Sequence, residues 1–496
     1  MDSEYWSWSW SEGHRWSVWT LLVALTLGRL LWVMVYRVFF HPLAAYPGPF
    51  ASKLSDLPAI FYAATTQDTY VRYAQHRKYG SVVRTGPNEL CFSDAASIKD
   101  IYGQSGEPCL KAPFLYDGFT LTGTSSVFST TDRNLHARMR RLMSHGFSQQ
   151  GVLQFQSDII AKVERFLHNV SSAAQPVNIH DPAHELYRDT ISLLSFGQSF
   201  NLLEGKESQG AKDIETYFNI CPLFGRFPLA KYLPFGDFGA ARDARPRIIK
   251  FSQSCIDDLR QRLRKGTVQS SLLRHMVEAK DGETGTEFSN EELIENVVIF
   301  ILAGSGTTAT TLIYLLYELG KRPEMQKRLE DEIRNAFPDQ SVFPNFEVAT
   351  DLPYLNCVVQ EVLRLRGPIP TVAPRVSPGK IIGGKYVPAG VIVSNVPYST
   401  QRDPTAFPNP EEFSPDRWAN PSPEMKIMHR PFATGPRNCI GMHLARVQLL
   451  ITVCAIYQRY EVELDPKTTE EMMVMRDQGV MTASGKQLWV NITPRE

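Results

Sequence analysis

Residues 432–441 read FATGPRNCIG, which places a cysteine two residues after an arginine and two before a glycine, behind a Gly-Pro turn. Free cysteine is among the most buried residue types and can act as a small hydrophobe. Arg437, Asn438 and Gly441 are poor core neighbours, however, so Cys439 is not obviously a packing residue, and its role has to be read from the rest of the chain. Three further groups have chemically suggestive spacing. Glu361 and Arg364 lie three apart and are neighbours on a helix surface; alone, such a pair reads as a solvated salt bridge worth little. In RNLHARMRRLMSHGFS, His136 and Arg140 share one face while Arg138 and Arg141 point elsewhere, and alone both sets read as solvated. Residues 303–311, AGSGTTATT, put two glycines and five hydroxyls inside an apolar stretch.

These groups need elements to position them. A capping box at Ser289 and Glu292 starts a helix that runs to Gly320, with Pro323 just beyond. It would span about 48 Å. A mid-helix glycine costs about 1 kcal/mol against alanine. Either something approaches residues 303–311 closely, or the helical hydrogen bonds open there; a tight helix crossing at small residues is the plainer alternative. A second helix is expected from near Thr350, with Leu355, Val358, Val359, Val362 and Leu363 as its apolar stripe. Residues 81–94 read as a hairpin turning at Gly86-Pro87-Asn88, and residues 380–396 as further β structure with turns at Gly383-Gly384 and Pro388-Ala389-Gly390. The rest is mostly helical in period.

The chain has 496 residues, 43% of them hydrophobic, with 52 basic and 52 acidic side chains. That composition supports a large core and argues against disorder. Zero net charge removes the simplest case for a nucleic-acid partner. Length alone suggests about three domains, but no linker, charge block or repeat divides the chain, so one large domain is expected. The seven cysteines are scattered, without a C-x-x-C pair. They suggest neither a zinc site nor a disulfide framework, and the odd count fits a reducing compartment. Two sequons, at Asn169 and Asn491, make a glycoprotein only if they face a secretory lumen.

Residues 16–36, WSVWTLLVALTLGRLLWVMVY, could span roughly 30 Å, enough for a bilayer core. Arg29 opposes insertion by about 2.5–3.5 kcal/mol, less if it snorkels. A cleaved signal peptide is the rival, but no small-residue cleavage site follows. The expected order is a tail (1–15), a transmembrane anchor (16–36), a proline-rich hinge (37–50) and a single catalytic domain (51–496).

Taken together, the motifs resemble the cytochrome P-450 family across nearly the whole chain. They are the anchor and hinge, His136/Arg140, residues 303–308, Glu361-x-x-Arg364, FSPDRW at 413–418, and the cysteine loop. The hinge YRVFFHPLAAYPGP is most similar to membrane-bound enzymes of filamentous fungi. The resemblance implies the mainly α P-450 fold with small β-sheets, preceded by a transmembrane helix. It implies haem b with Cys439 as axial thiolate, and Phe432, Gly435 and Gly441 shaping the loop. Arg437, His136, Arg140 and Arg375 would meet the haem propionates, and Ala303 with Gly304 would leave room for dioxygen. Thr307 matches the oxygen-activating threonine. An acid usually precedes it; here Gly306 does, so Ser305, Thr308 and water are the other candidates for proton delivery. Glu361, Arg364 and Arg417 resemble the buried structural triad.

The activity implied is an NADPH-driven monooxygenase that hydroxylates or epoxidises a lipophilic terpenoid or polyketide-type intermediate of fungal secondary metabolism. Contacts to it are expected around residues 114–128, 300–308, 369–372 and 480–482. Electrons would come from a diflavin NADPH–cytochrome P-450 reductase, with cytochrome b5 an accessory candidate and Arg133, Arg138 and Arg141 as docking residues. The site would be the endoplasmic reticulum membrane, with a single-pass anchor and a cytosolic catalytic domain. One rival keeps the fold but performs oxidative coupling, isomerisation or dehydration without oxygen insertion. A remoter one is a non-enzymatic haem-thiolate sensor.

Overall fold

The computed structural model describes residues 12–103, 106–266, 271–370 and 373–495. Helix α1 (Glu12–Val35) continues into a π-helical turn, Tyr36–Phe40. The stretch Val18–Phe40 has mean hydropathy 2.0 and is 0% buried, so the apolar span runs past the expected end at residue 36. The expected hinge is bound to the domain at several points. Arg84 is fully buried, and its guanidinium donates to Arg37 O at 2.9 Å and Pro87 O at 2.7 Å. Its amide donates to Pro47 O at 2.7 Å. A Cβ on Gly48 would lie 2.3 Å from Arg84 O, so only glycine fits that contact. Two short helices follow, α2 (Phe50–Leu54) and α3 (Leu57–Ala64), then α4 (Asp68–Tyr79), which packs on the first strand.

Strands β1 (Val82–Gly86) and β2 (Glu89–Phe92) form the expected hairpin, turning at residues 86–89. They belong to a five-stranded sheet ordered β1-β2-β8-β5-β3, with β3 (Leu110–Lys111), β5 (Arg375–Val376) and β8 (Ile392–Asn395). The β2/β8 pair is parallel; the others are antiparallel. Strands β6 (Lys380–Ile382) and β7 (Lys385–Val387) make a hairpin through Gly383 and Gly384, both at positive φ. Strands β4 (Val177–Asn178), β9 (Tyr460–Leu464) and β12 (Trp489–Pro494) form a third sheet, and β10 (Met475–Asp477) pairs with β11 (Met481–Ala483).

Helix α5 (Ala95–Tyr102) supports the first sheet, and α6 (Arg133–Ser144) begins at an Asp132 cap. Helix α7 (His180–Phe196) crosses α8 (Asn290–Gly320), the long central helix. The capping box at Ser289 and Glu292 is formed as expected. Around α8 stand α9 (Pro323–Ala336), α10 (Pro353–Leu365) and α11 (Met442–Arg459). All belong to one hydrophobic core. Helix α10 starts at Pro353, close to the expected Thr350, with proline in its first turn and Glu332 of α9 accepting from the Tyr354 and Leu355 amides at 2.8 Å each. The Glu332 contribution is tertiary and hidden from local sequence. Its expected apolar stripe is buried throughout.

The two sequons sit in regular structure. Asn169 lies in the helix Gln156–Ser172 and donates to Leu203 O at 2.7 Å; Asn491 lies in β12.

Candidate functional site

The cysteine loop is built by two constraints. Gly435 has φ +74°, and a Cβ there would lie 2.0 Å from Tyr102 O at the end of α5. Conformation and space both demand glycine. Within the turn, the Cys439 amide donates to Phe432 O at 2.9 Å and the Asn438 amide to Gly435 O at 3.1 Å. Gly441 is the N-cap of α11, so Cys439 stands just ahead of the helix rather than at its first turn. The Cys439 side chain is solvent-accessible. Yet burial pushes its thiol pKa up, against opposing pulls from the Gly441 N–H and Arg140. Cys439 thus combines an accessible side chain with a desolvated thiol.

Around this loop gather five basic side chains. His136 is buried, and its pKa is pushed down to about 3 by burial, then by Arg437, Lys111, Arg140 and Arg375. Arg437 is lowered to about 10, by burial and then Arg375. Burial and the same arginines hold the Lys111 amine well below its usual range. Lys111 and Arg375 stand directly opposite one another on β3 and β5, an arrangement that destabilises an antiparallel pair. Arg437 donates to Thr130 O at 2.6 Å and Asp132 O at 3.1 Å; Arg375 donates to the Tyr116 hydroxyl at 3.1 Å. Arg140 holds Asn438, donating to its main-chain oxygen at 3.1 Å and its Oδ1 at 2.9 Å, and Lys111 donates to Phe128 O. None of these acceptors is a carboxylate. The Asp132 carboxylate, felt by Arg437, caps the Asn134 and Leu135 amides. Basic groups desolvated together, with their charged forms held down by burial and by one another, call for an anionic guest.

The expectation about Arg140 needs refinement, since its hydrogen bonds run to the residue next to Cys439. Lys111 was missed by sequence reasoning; a lysine on a two-residue strand carries no local signal of burial.

The mid-portion of α8 stays helical without a break. Ser305, Thr307 and Thr311 return their hydroxyls to Ile301 O, Ala303 O and Thr307 O at 2.8–2.9 Å. Ala303 is exposed although the flanking helix is buried, and Thr307 lies one turn beyond it on the same face. At Gly304 the structure matches the plainer alternative, a tight helix crossing. A Cβ there would meet Ile191 of α7 at 2.9 Å, so its missing side chain serves the helix crossing. A Cβ on Gly306 would meet nothing within 4 Å. Ser305 and Thr308 are buried, which leaves Thr307 as the hydroxyl on the open side.

The Glu361–Arg364 pair is fully buried, in contrast to its bland reading. Arg364 donates to both Glu361 oxygens at 2.8 Å and to the carbonyls of Gln401, Pro410 and Glu412. Arg417, the Trp418 indole and the Ser414 amide complete the carboxylate's shell at 3.1, 2.9 and 2.9 Å. The network ties α10 to the segment leading into the cysteine loop; Trp418 was not anticipated as a member.

Of the expected substrate segments, residues 121–127 are held to α8. Glu295 accepts from the Leu121 and Thr122 amides, and Asn296 from the Val127 amide at 2.8 Å. Met481 is tied to Pro368 O at 2.8 Å and to Thr310 at 3.1 Å. Ile369 is exposed, and residues 371 and 372 lie outside the described residues. The three arginines named for docking differ in their surroundings. Arg138 pairs with Glu292 and Arg141 with Asp281, while Arg133 stays exposed.

The family model described as Cytochrome P-450 matches residues 63–490. The chain is 32% identical over 497 residues to a cytochrome P-450 monooxygenase, astJ, of Aspergillus oryzae, covering 94% of this chain and 95% of that protein. It is 32% identical over 484 residues to averantin hydroxylase of Dothistroma septosporum, covering 94% and 90%. Among solved structures, the heme domain of cytochrome P-450DA superposes with a TM-score of 0.77 at 19% identity, over 91% of this chain and 98% of that one.

Proposed function

The chain belongs to the cytochrome P-450 family, and on that premise we propose that Cys439 would hold the iron of a haem through its thiolate. The family implies haem held by a cysteine thiolate, and the residues present suit that group. The observation that carries the reading is the accessible, desolvated Cys439 beside five basic side chains whose hydrogen-bond acceptors include no carboxylate. A haem's two propionates would supply the missing negative charge, through charge-assisted bonds from Arg437, Arg375, His136 and Lys111. Arg140 would act mainly by fixing Asn438 and with it the ligand loop.

When bound, thiolate-ligated haem supplies dioxygen activation, because sulfur donation favours O–O cleavage. The chain's own residues would do the rest. The Gly441 N–H and Arg140 stabilise negative charge on the sulfur. Ala303 leaves its side of α8 open for a small ligand. Thr307 holds a proton on that face, and the unfilled space at Gly306 admits water where the family's usual acid is missing. The segments around residues 114–128 and 480–482, with Phe300, exclude bulk water and favour an apolar guest.

We read the reaction as insertion of one oxygen atom into a lipophilic terpenoid or polyketide-type intermediate of fungal secondary metabolism. Electrons would come from NADPH through a diflavin reductase, with cytochrome b5 as accessory donor. Helix α1 would anchor the protein in the endoplasmic reticulum membrane, with the catalytic domain cytosolic. A reductase-supported microsomal assay on a terpenoid and polyketide panel under labelled dioxygen tests this. The expected product carries one labelled oxygen; products formed with NADPH consumption but without label would point to oxidative coupling, isomerisation or dehydration.

A further inference from the structure

The hydroxyls in the middle of α8 differ in where they bond. Ser305, Thr307 and Thr311 return theirs to carbonyls of their own helix, as serine and threonine inside helices commonly do. Thr310 does not. It is buried, and its hydroxyl crosses to β11 and donates to Met481 O at 3.1 Å. One turn further along α8, the Tyr314 hydroxyl donates to Met473 O at 3.1 Å, just ahead of β10. Residues four apart lie on one helix face, so α8 grips the β10–β11 hairpin at two points along a single line.

The Met481 peptide is a junction. Its carbonyl takes the Thr310 hydroxyl, and its N–H donates to Pro368 O at 2.8 Å, in the chain that leaves α10. The next residue, Ile369, is exposed. Side chains alternate along a strand: Met481 is turned into the core, while its neighbours Val480 and Thr482 are half-buried. Thr310 stands three residues beyond Thr307, about 4.5 Å along the helix axis, and Thr307 carries the hydroxyl on the open side of α8. The junction therefore sets Ile369, Val480 and Thr482 against one end of that open side. Strand β10 is fixed separately, by Tyr70 of α4 donating to Met475 O at 2.7 Å and Thr69 to the Asp477 carboxylate at 2.6 Å. Loss of the Thr310 bond would loosen residues 480–482 without detaching the hairpin.

We propose that Thr310 is a positioning residue for substrate. By holding the Met481 peptide it fixes where Val480 and Thr482 meet a guest, and so selects among bulky apolar guests that extend from the open side of α8 to the hairpin. The inference rests on the proposed haem site at Cys439 and adds a specificity-setting role to a residue that itself touches neither haem nor substrate.

The test uses the full-length, haem-loaded chain and two iron-binding probes, imidazole and biphenylyl-imidazole, titrated in the ferric state by the shift of the Soret band. Imidazole needs only the iron, whereas the biphenyl tail must reach the chamber wall. Thr310→Val keeps the side chain's shape and removes the hydroxyl. It should weaken the larger azole by about 3- to 10-fold, the effect of one hydrogen bond, and leave imidazole unchanged. Thr310→Ser, which restores the hydroxyl, should bind the larger azole within about 2-fold of the native chain. Tyr314→Phe loses the bond to Met473 O; it should also weaken the larger azole selectively, and it covers the case in which Thr310→Val does not fold. If the folded variants bind the larger azole unchanged or more tightly, or lose affinity equally for both probes, the positioning role is overturned. No shift with either probe in the native chain would overturn the haem reading itself, and this inference with it.

Discussion

Replacing Glu361 by glutamine changes almost no volume but removes the charge at the centre of a closed network. In the native chain the carboxylate accepts from two Arg364 nitrogens at 2.8 Å, from Arg417 at 3.1 Å, and from Trp418 and the Ser414 amide at 2.9 Å. Neither Glu361 nor Arg364 has any exposed side-chain surface. A glutamine retains one acceptor oxygen and turns an NH2 toward donors, leaving Arg364 buried without a counter-charge. Breaking one side of such a pair costs about 3–5 kcal/mol, against about 5–15 kcal/mol for the stability of a whole domain. Urea unfolding of the purified chain, followed by far-UV circular dichroism, should show a loss in that range. Replacing both partners, Glu361→Leu with Arg364→Met, should not restore stability. That double change leaves the Gln401 and Pro410 carbonyls, the Trp418 indole and the Ser414 amide without the partners they have here, at about 1–3 kcal/mol for each that stays buried. A loss below about 1 kcal/mol for Glu361→Gln, the magnitude of a surface ion pair, would refute the reasoning.

The two mid-helix glycines should respond in opposite directions. Gly306→Ala has free space and should gain up to about 1 kcal/mol, whereas Gly304→Ala drives a methyl into Ile191 and should lose about 1–3 kcal/mol, both read by thermal or urea unfolding. Lys111→Met should stabilise the haem-free protein by removing a buried amine from among cations, yet speed haem loss to apomyoglobin by about 10- to 100-fold. His136 has its pKa pushed down to about 3 in the folded haem-free chain, against about 6.5 when unfolded. The stability it contributes is present above pH 6.5 and is lost as pH falls toward 3, at about 1.4 kcal/mol per pH unit. His136→Gln should flatten that dependence in urea midpoints measured between pH 7.5 and 5, and haem loading should flatten it too.

The cysteine loop was legible because its constraints are local: a positive φ at Gly435, the Cys439 amide bonded back to Phe432, and the sulfur held beside the Gly441 N–H. The capping box of α8 and the hairpin at residues 81–94 were legible for the same reason. The character of Glu361-x-x-Arg364 was not, since its burial depends on carbonyls 37 to 48 residues downstream of Arg364. Spacing separated Arg138 and Arg141 from His136 and Arg140, but could not foresee that Glu292 and Asp281 would face the first pair. Lys111 gains its meaning only from the register that sets it opposite Arg375. Two glycines close together in α8 announced a close approach, but helical phase alone did not say that Gly304 meets α7 while Gly306 borders open space.

The most direct test of the account is the carbon monoxide spectrum of the reduced full-length chain in membranes. With Cys439 as an anionic sulfur ligand, the Soret band should fall at the strongly red-shifted position characteristic of thiolate coordination. Cys439→Ser should abolish that band in protein whose far-UV circular dichroism is unchanged. A well-folded wild-type chain that gives no such band, or a Cys439→Ser chain that keeps it, would contradict the account.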